Sequence, residues 1–500
     1  MKRIIYPLLA LLLAASLTAC DLGTVIGPKP TEAPTEAPTE APEKPEHMHC
    51  LCISGKSVGE HTCDENLGYV PIASAKEFWE LVDNAEADAV HMYLTADISF
   101  ANSVVIPKGK EISLCLNGKN LTMTAEVVGT LNVTDCAETT GTWTSVKDMT
   151  AKVYSMATLN IFAGNITNSG TSGMTQVLTL IGTANEQYEL PAAAGTCNIY
   201  GGKIENSNQT GMPGANVWIG ERCIVNFYDG QIVGGKCVVE NNKNYNRGGN
   251  VAVYGTNAKF VMYGGTISGG SIITTDGKEG GNGGNIGMYR GYLHIYGGTI
   301  KDGYSCGNGG NISTSNDVKE VVIENAVISG GVCKKFGGNL HLGSGKSVQI
   351  KNSQFIDGDA VGAGGNIYIG ISATLDSVTV TGGKCTNEAA GGIALNSQNS
   401  AVITLVGNCV FDNNQGGDIC IRHRGSENTR LSVAGITGSD EILISGSMWE
   451  PTFAQALLVD THPNAVNIFK AAEGFVLTPV EGNLELTMVV TQPEEAMTEA

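Results

Sequence analysis

The residues best suited to chemistry sit close to the start of the chain, in HMHCLCISGKSVGEHTC, His47 to Cys63. His49, Cys50, Cys52, His61 and Cys63 supply imidazoles and thiols dense enough to hold a tetrahedral Zn²⁺. Their spacing is not that of a standard zinc finger. A Cys52–Cys63 disulfide stapling a small loop is the other chemistry open to an exported chain. A second group is aromatic. Phe162, Tyr200, Tyr228, Tyr263 and Tyr296 recur at one phase, four residues before the apolar anchors of a repeat. Stacked rings at such a phase either brace one another or form a platform for sugar rings. Trp218 and Tyr368 fall in another outward column, with Ala252, Gly287, Ser313, His341 and Ala394. That column holds no carboxylate. In the aromatic column, Glu324, Lys351 and Asp376 follow Tyr296 as isolated charges, which read as a solvated face. Arg422-His423-Arg424 is a lone basic spot, able to take an anionic sugar or to pair with Glu427.

What must position these side chains is a repeat. The phrase Gly-Gly-Asn-apolar ends at Asn250, Asn285, Asn311, Asn339 and Asn366, at intervals of 35, 26, 28 and 27 residues. Looser copies end at Ile393 and Asp418. After each copy apolar residues alternate, as in Val251 and Val253 or Leu340 and Leu342, the period of a strand with one buried face. A second apolar anchor recurs at Ile204, Ile232, Ile267, Ile300, Ile328, Ile356 and Val380. Five residues earlier stand Ile199, Phe227, Met262, Ile295, Ile323 and Leu375. Each unit therefore holds two or three short strands. One unit cannot bury its apolar face, but stacked copies can. The 66 glycines supply corners, and the recurrent asparagines a ladder of stacked amides with a structural role.

The expected fold is all-β: a right-handed parallel β-helix over residues 90–450, with an N-terminal capping helix. On these phrases the chain resembles the pectin-lyase-like superfamily. That resemblance implies polysaccharide lyase or glycoside hydrolase activity in a groove along one sheet. The superfamily's lyases use clustered carboxylates for Ca²⁺ and an Arg or Lys base, and its hydrolases use grouped aspartates. The columns above hold no such cluster, which argues against Ca²⁺ and against catalysis.

The flanks give the setting. Residues 1–20 have a short basic start, an apolar run and small residues, the order of a signal peptide. The sequence LTAC resembles a bacterial lipobox, which implies cleavage before Cys20 and a lipid on its thiol. Residues 21–46, with TEAP three times over, form a Pro/Thr/Glu tether. Residues 47–66 make the Cys/His module and 67–89 a cap, whose helix Ser74 to Ala85 turns Phe78, Leu81 and Val82 to one side. A C-terminal cap over 451–490 and a tail over 491–500 complete the chain. Cys237, Cys333 and Cys385 share a position with Ile272 and Val361, so they read as core residues, with a disulfide between neighbouring coils left open.

The net charge of −19 excludes a nucleic-acid partner. The combined expectation is a protein on the extracellular face of the cell membrane, held by its lipid. It serves non-catalytic adhesion or carbohydrate binding, with polysaccharide lyase or glycoside hydrolase as the alternative. The candidate glycan-binding residues are Tyr200, Tyr228, Tyr263, Tyr296, Trp218 and Tyr368.

Overall fold

The chain winds as a parallel β-helix, seen in a computed structural model. The structure describes residues 68–488 apart from 86–87, 174, 207–208, 240–247, 276–279, 388–389, 397–400, 423–429, 438–440, 447–454, 458–467 and 481–482. Cys20, the zinc candidates His49, Cys50, Cys52, His61 and Cys63, and His423 and Arg424 lie outside the described residues.

One coil shows the plan. Val251–Val253 lies in a first ladder, Lys259–Met262 in a second, Thr266–Ser268 in a third and Ser271–Thr274 in a fourth. Each strand pairs in parallel with its counterparts one coil up and one coil down. The third ladder has twelve strands and the fourth seven. The first two ladders join into one sheet of 26 strands, because Ile286–Ile295 and Ile312–Glu324 run through both, turning at Gly291 and Asn316 without ending the strand.

The expected two or three strands per coil are thus four in the middle of the helix. The fourth is an excursion from a three-sided coil. Gly331 N–H donates to Asn339 Oδ1 at 2.9 Å, so the chain leaves and returns at one corner. The segment between, Val332–Cys333 and the turn to Phe336, folds over the outside of the first ladder.

Inward side chains from the three main ladders form one continuous core. Along the third ladder the buried column runs Leu121, Trp143, Ile166, Ile204, Ile232, Ile267, Ile300, Ile328, Phe355, Val380 and Phe411. Every sequence anchor is in that column except Ile356, which pairs with Ser329 at the flanking position, while Phe355 takes the core place. Trp143 is wholly buried, and its indole N–H donates to the Met123 carbonyl at 2.9 Å. The N-terminal end is closed by helix α1, Ala75–Asn84. Ser74 accepts from Glu77 N–H while Glu77 accepts from Ala73 N–H, satisfying donors that the first turn leaves open. Phe78 and Val82 are buried against the first coils and Leu81 packs beside them. Beyond the last parallel pairing lies an antiparallel sheet of Gln455–Leu457, Phe475–Val480 and Asn483–Met488.

The corner amides do form a ladder. Nδ2 of Asn216 donates to Oδ1 of Asn250, and the chain of donors continues through Asn285, Asn311 and Asn339 to Asn366 at 2.7–2.8 Å per step. It passes to Asn414 at 3.4 Å and ends on Asp418 Oδ1 at 2.9 Å. The repeated asparagine becomes aspartate there for a reason. Its other oxygen, Oδ2, accepts from Leu443 N–H at 2.9 Å, so each carboxyl oxygen takes one donor, where an amide would turn its NH₂ toward one of them. Burial raises the Asp418 pKa, against the pull of those two hydrogen bonds and with Asp412 and Glu441 adding repulsion. The sign follows: folded above unfolded, so this carboxyl's contribution is complete below pH ~4 and is lost as pH rises through the folded value. Wild type should therefore lose ground to Asp418→Asn as pH rises from that range. Denaturant midpoints for both proteins across pH check this, and a constant difference would refute it.

The fourth ladder's inner column reads Cys237, Ile272, Ser305, Cys333, Ala360 and Cys385. Ala360, not Val361, fills the place, and Val361 is exposed. Burial pushes the Cys237 and Cys333 thiols up to about 12, which keeps them protonated packing groups. No two of these thiols are on adjacent coils. Two coils apart is roughly 9.6 Å, beyond the ~7 Å that a disulfide spans between Cα atoms, so this column makes no inter-coil bridge.

Candidate functional face

The second ladder presents a flat outer face made of side chains that alternate with the core. Asn132, Asn160, Asn198 and Asn226 stand in register on four consecutive coils. Each Nδ2 donates to the amide before it, at 2.7, 2.8 and 2.8 Å. The row begins on Glu111, whose Oε1 accepts from Asn132 at 2.7 Å. This second amide ladder lies on a strand face rather than in a corner, with Asn132 buried and Asn160, Asn198 and Asn226 half-buried.

The aromatic row lies beside it, two residues further along each strand. Phe162, Tyr200, Tyr228 and Tyr263 stack with centroids 4.8, 4.8 and 4.9 Å apart and planes within 20°. Tyr296 follows at 5.7 Å and 28°. The centroid spacing matches the rise of ~4.8 Å per coil, so the backbone pairing sets the stack. Phe162 is buried, but Tyr228, Tyr263 and Tyr296 are 37%, 47% and 38% exposed. Because each ring covers much of its neighbour's face, the row offers solvent mainly ring edges and phenol hydroxyls. Desolvation, and then the next phenol, raise the pKa values of Tyr200 and Tyr228, so these hydroxyls remain protonated donors at neutral pH.

The amide row ends at Asn226, which pairs with Val261 on the next coil, and the face changes character again at strand Ile286–Ile295. Tyr292 and His294 point outward from it and Tyr296 follows. Lys259 Nζ lies 5.1 Å from the Tyr292 ring centre. His294 Nε2 is 2.9 Å from Glu320 Oε2 on the next coil, with Tyr292 and Tyr296 flanking the imidazole at 6.2 and 6.0 Å. Beyond Tyr296 the column continues as Glu324, Lys351 and Asp376, the last two paired at 3.7 Å. The face thus grades from amide and phenol to a charged patch that includes the hydrogen-bonded His294–Glu320 pair.

Trp218 and Tyr368 do not join this face. Both are on the first ladder. Trp218 tilts against Tyr254 at 6.1 Å, and Tyr254 stacks on Tyr289 at 4.8 Å. Tyr368 is only 6% exposed, sandwiched between His341 at 5.2 Å and Phe336 of the excursion at 4.7 Å. Its neighbours Ala394 and Cys420 are buried too, so the Tyr368 end of this column is a satellite core, while Trp218 at the other end is half-buried. Of the six candidates, four come together and two do not.

Among the described residues no group of three or more His, Cys, Asp or Glu side chains is placed to hold a metal ion. A concavity lined by Asp88, Lys108, Lys110, Glu111, Met156 and Leu190 lies on the coils that precede the aromatic row. Comparison with family models, curated proteins and solved structures finds no match to this chain.

Proposed function

We propose that this chain is a lipoprotein of the outer cell surface, tethered through Cys20, whose β-helix binds a carbohydrate polymer without cleaving it. One observation carries the reading: exposed Tyr228, Tyr263 and Tyr296 extend, coil by coil, the face on which the Asn160, Asn198 and Asn226 amides stand in a row. Protein surfaces seldom expose aromatics in a row, and repetition once per coil suits a ligand that is itself a repeat. The phenols and amides offer hydrogen bonds in parallel lines, and the ring edges cover apolar sugar surface. A flat face rather than an enclosed pocket suits a chain that extends past both ends of the site. Kinship with the pectin-lyase-like superfamily is part of this proposal and rests on the coil plan and the amide ladders.

The test is a polysaccharide array probed with wild type and with a Tyr228→Ala/Tyr263→Ala/Tyr296→Ala triple variant. The variant should lose at least tenfold in affinity, about 1.4 kcal/mol, and still melt cooperatively. Failure of wild type to bind any polysaccharide would remove the proposal. Equal loss of binding and folding would leave the tyrosines as braces only. Ultraviolet-absorbing unsaturated products from uronic-acid polymers would make the chain a lyase, with His294 and Glu320 the first residues to replace.

A further inference from the structure

Cys115 closes strand Glu111–Cys115 and pairs in register with Thr134 on the next coil. Cys136 is two residues past Thr134, in the turn that follows. The two Sγ atoms are 2.9 Å apart, within ~0.9 Å of a disulfide bond length and with no other group between them. Cys115 is buried and Cys136 half-buried. The turn that carries Cys136 is held in place independently of either sulfur. Asp135 accepts from Gly118 N–H on the preceding coil and from Gly141 N–H across the turn.

Nothing similar occurs at the other described cysteines. The fourth-ladder thiols in the inner column are separated by Ile272, Ser305 and Ala360, and Cys306, beside Ser305, turns its thiol to the Gly280 carbonyl. Cys197, Cys223 and Cys409 are buried in the main core. Cys420 is buried in the satellite core.

We propose that Cys115 and Cys136 form a disulfide that staples two successive coils near the N-terminal end of the helix. The less buried partner leads the chemistry. The Cys136 thiolate attacks a low-molecular-weight disulfide, forming a mixed disulfide and releasing one thiol. The Cys115 thiolate then displaces the second thiol and closes the protein bond. Two protein thiols are oxidised, the external disulfide is reduced to two thiols, and the two protons go with them. A solenoid opens most easily from its ends, because an end coil has one neighbour instead of two. A covalent link across a 21-residue separation restrains opening there. The inference is independent of any glycan on the second-ladder face.

The experiment uses the full chain, exposed to oxidised glutathione while folded, then denatured, alkylated, digested and weighed. The expected product is a Cys115–Cys136 linked peptide pair, lighter by two hydrogen atoms than the two free peptides. Recovery of both cysteines alkylated, or of Cys136 as a stable glutathione adduct beside alkylated Cys115, overturns the proposal. A second arm compares melting with and without reductant for wild type and Cys136→Ser. Reductant should lower the melting temperature of wild type by several degrees and leave the variant unmoved. An equal response in both proteins counts against the staple.

Discussion

Gly338→Ala is expected to cost more than about 4 kcal/mol, among the largest single effects available in this fold. The reason is clearance. A Cβ at Gly338 would sit 2.3 Å from Asp359 N, 2.3 Å from the Gly365 carbonyl oxygen and 2.7 Å from the Gly331 carbonyl oxygen. All three are backbone atoms, and Asp359 N–H is itself bonded to the Gly331 carbonyl at 2.9 Å. No flexible side chain can move aside. The coils would have to part, at the corner where the excursion leaves and returns. Gly269 is the contrast. It has φ +63°, yet no atom lies nearer than 3.9 Å to the Cβ it lacks. Gly269→Ala should therefore cost only the left-handed strain, roughly 1–2 kcal/mol. Denaturant titration of the two variants separates the effects. Equal costs would mean that turn conformation alone explains the repeated glycines.

That contrast marks where sequence reasoning stops. The repeat itself was legible, because alternation at a near-constant interval needs no partner to be recognised. The amide ladder at Asn250 through Asn366 was legible for the same reason. The second glycine of the phrase was misjudged as a turning residue, since sequence reveals no neighbour across the coil. The pair Phe355-Ile356 offered two adjacent apolar residues, and only pairing with Ile328 and Ser329 selects the first for the core. The fourth ladder's buried column was legible in Cys237, Ile272, Cys333 and Cys385, but not its strands, because strands as short as Val332–Cys333 show no alternation.

Site residues divide along similar lines. Tyr200, Tyr228, Tyr263 and Tyr296 share one phase of one strand, so they stack as their spacing suggests. The surface amide row was equally available in LNIFAG, CNIYGG and VNFYDG, where Asn precedes the aromatic by two residues. Tyr368 alternates outward correctly, but the ring that covers it, Phe336, comes from a different coil's excursion. His294 and Glu320 meet because two strands run through a corner with shifted register, a feature with no sequence signature.

Asn311→Ala should be nearly as damaging as Gly338→Ala, and for a chemical rather than a steric reason. The Asn311 side chain is wholly buried and saturated. Its Oδ1 accepts from Asn285 Nδ2 at 2.7 Å and from Gly303 N–H at 2.9 Å. Its Nδ2 donates to Asn339 Oδ1 and to the Ser329 carbonyl, both at 2.8 Å. Alanine strands two donors, Asn285 Nδ2 and Gly303 N–H, in a dry corner, while Asn339 Oδ1 and the Ser329 carbonyl each keep one bond, from Gly331 N–H and Asp302 N–H. At roughly 1–3 kcal/mol for each unsatisfied donor, with the lost bonds to the two acceptors added, the loss is about 4 kcal/mol. Amides in a chain also polarise one another, so the ladder should behave as a unit. Asn339→Ala after Asn311→Ala should then cost less than Asn339→Ala alone, with a coupling of about 0.5–3 kcal/mol. Asn160→Ala, on the separate surface row, should add to Asn311→Ala without coupling. Because each coil touches only its neighbours, amide exchange in Asn311→Ala should quicken at Gly303, Ile312 and Asn339 while strands Glu111–Cys115 and Thr130–Thr134 keep their protection. A strictly additive cycle, with exchange raised evenly along the helix, would mean that the corner asparagines act as separate pegs and that the coils are held by strand pairing alone.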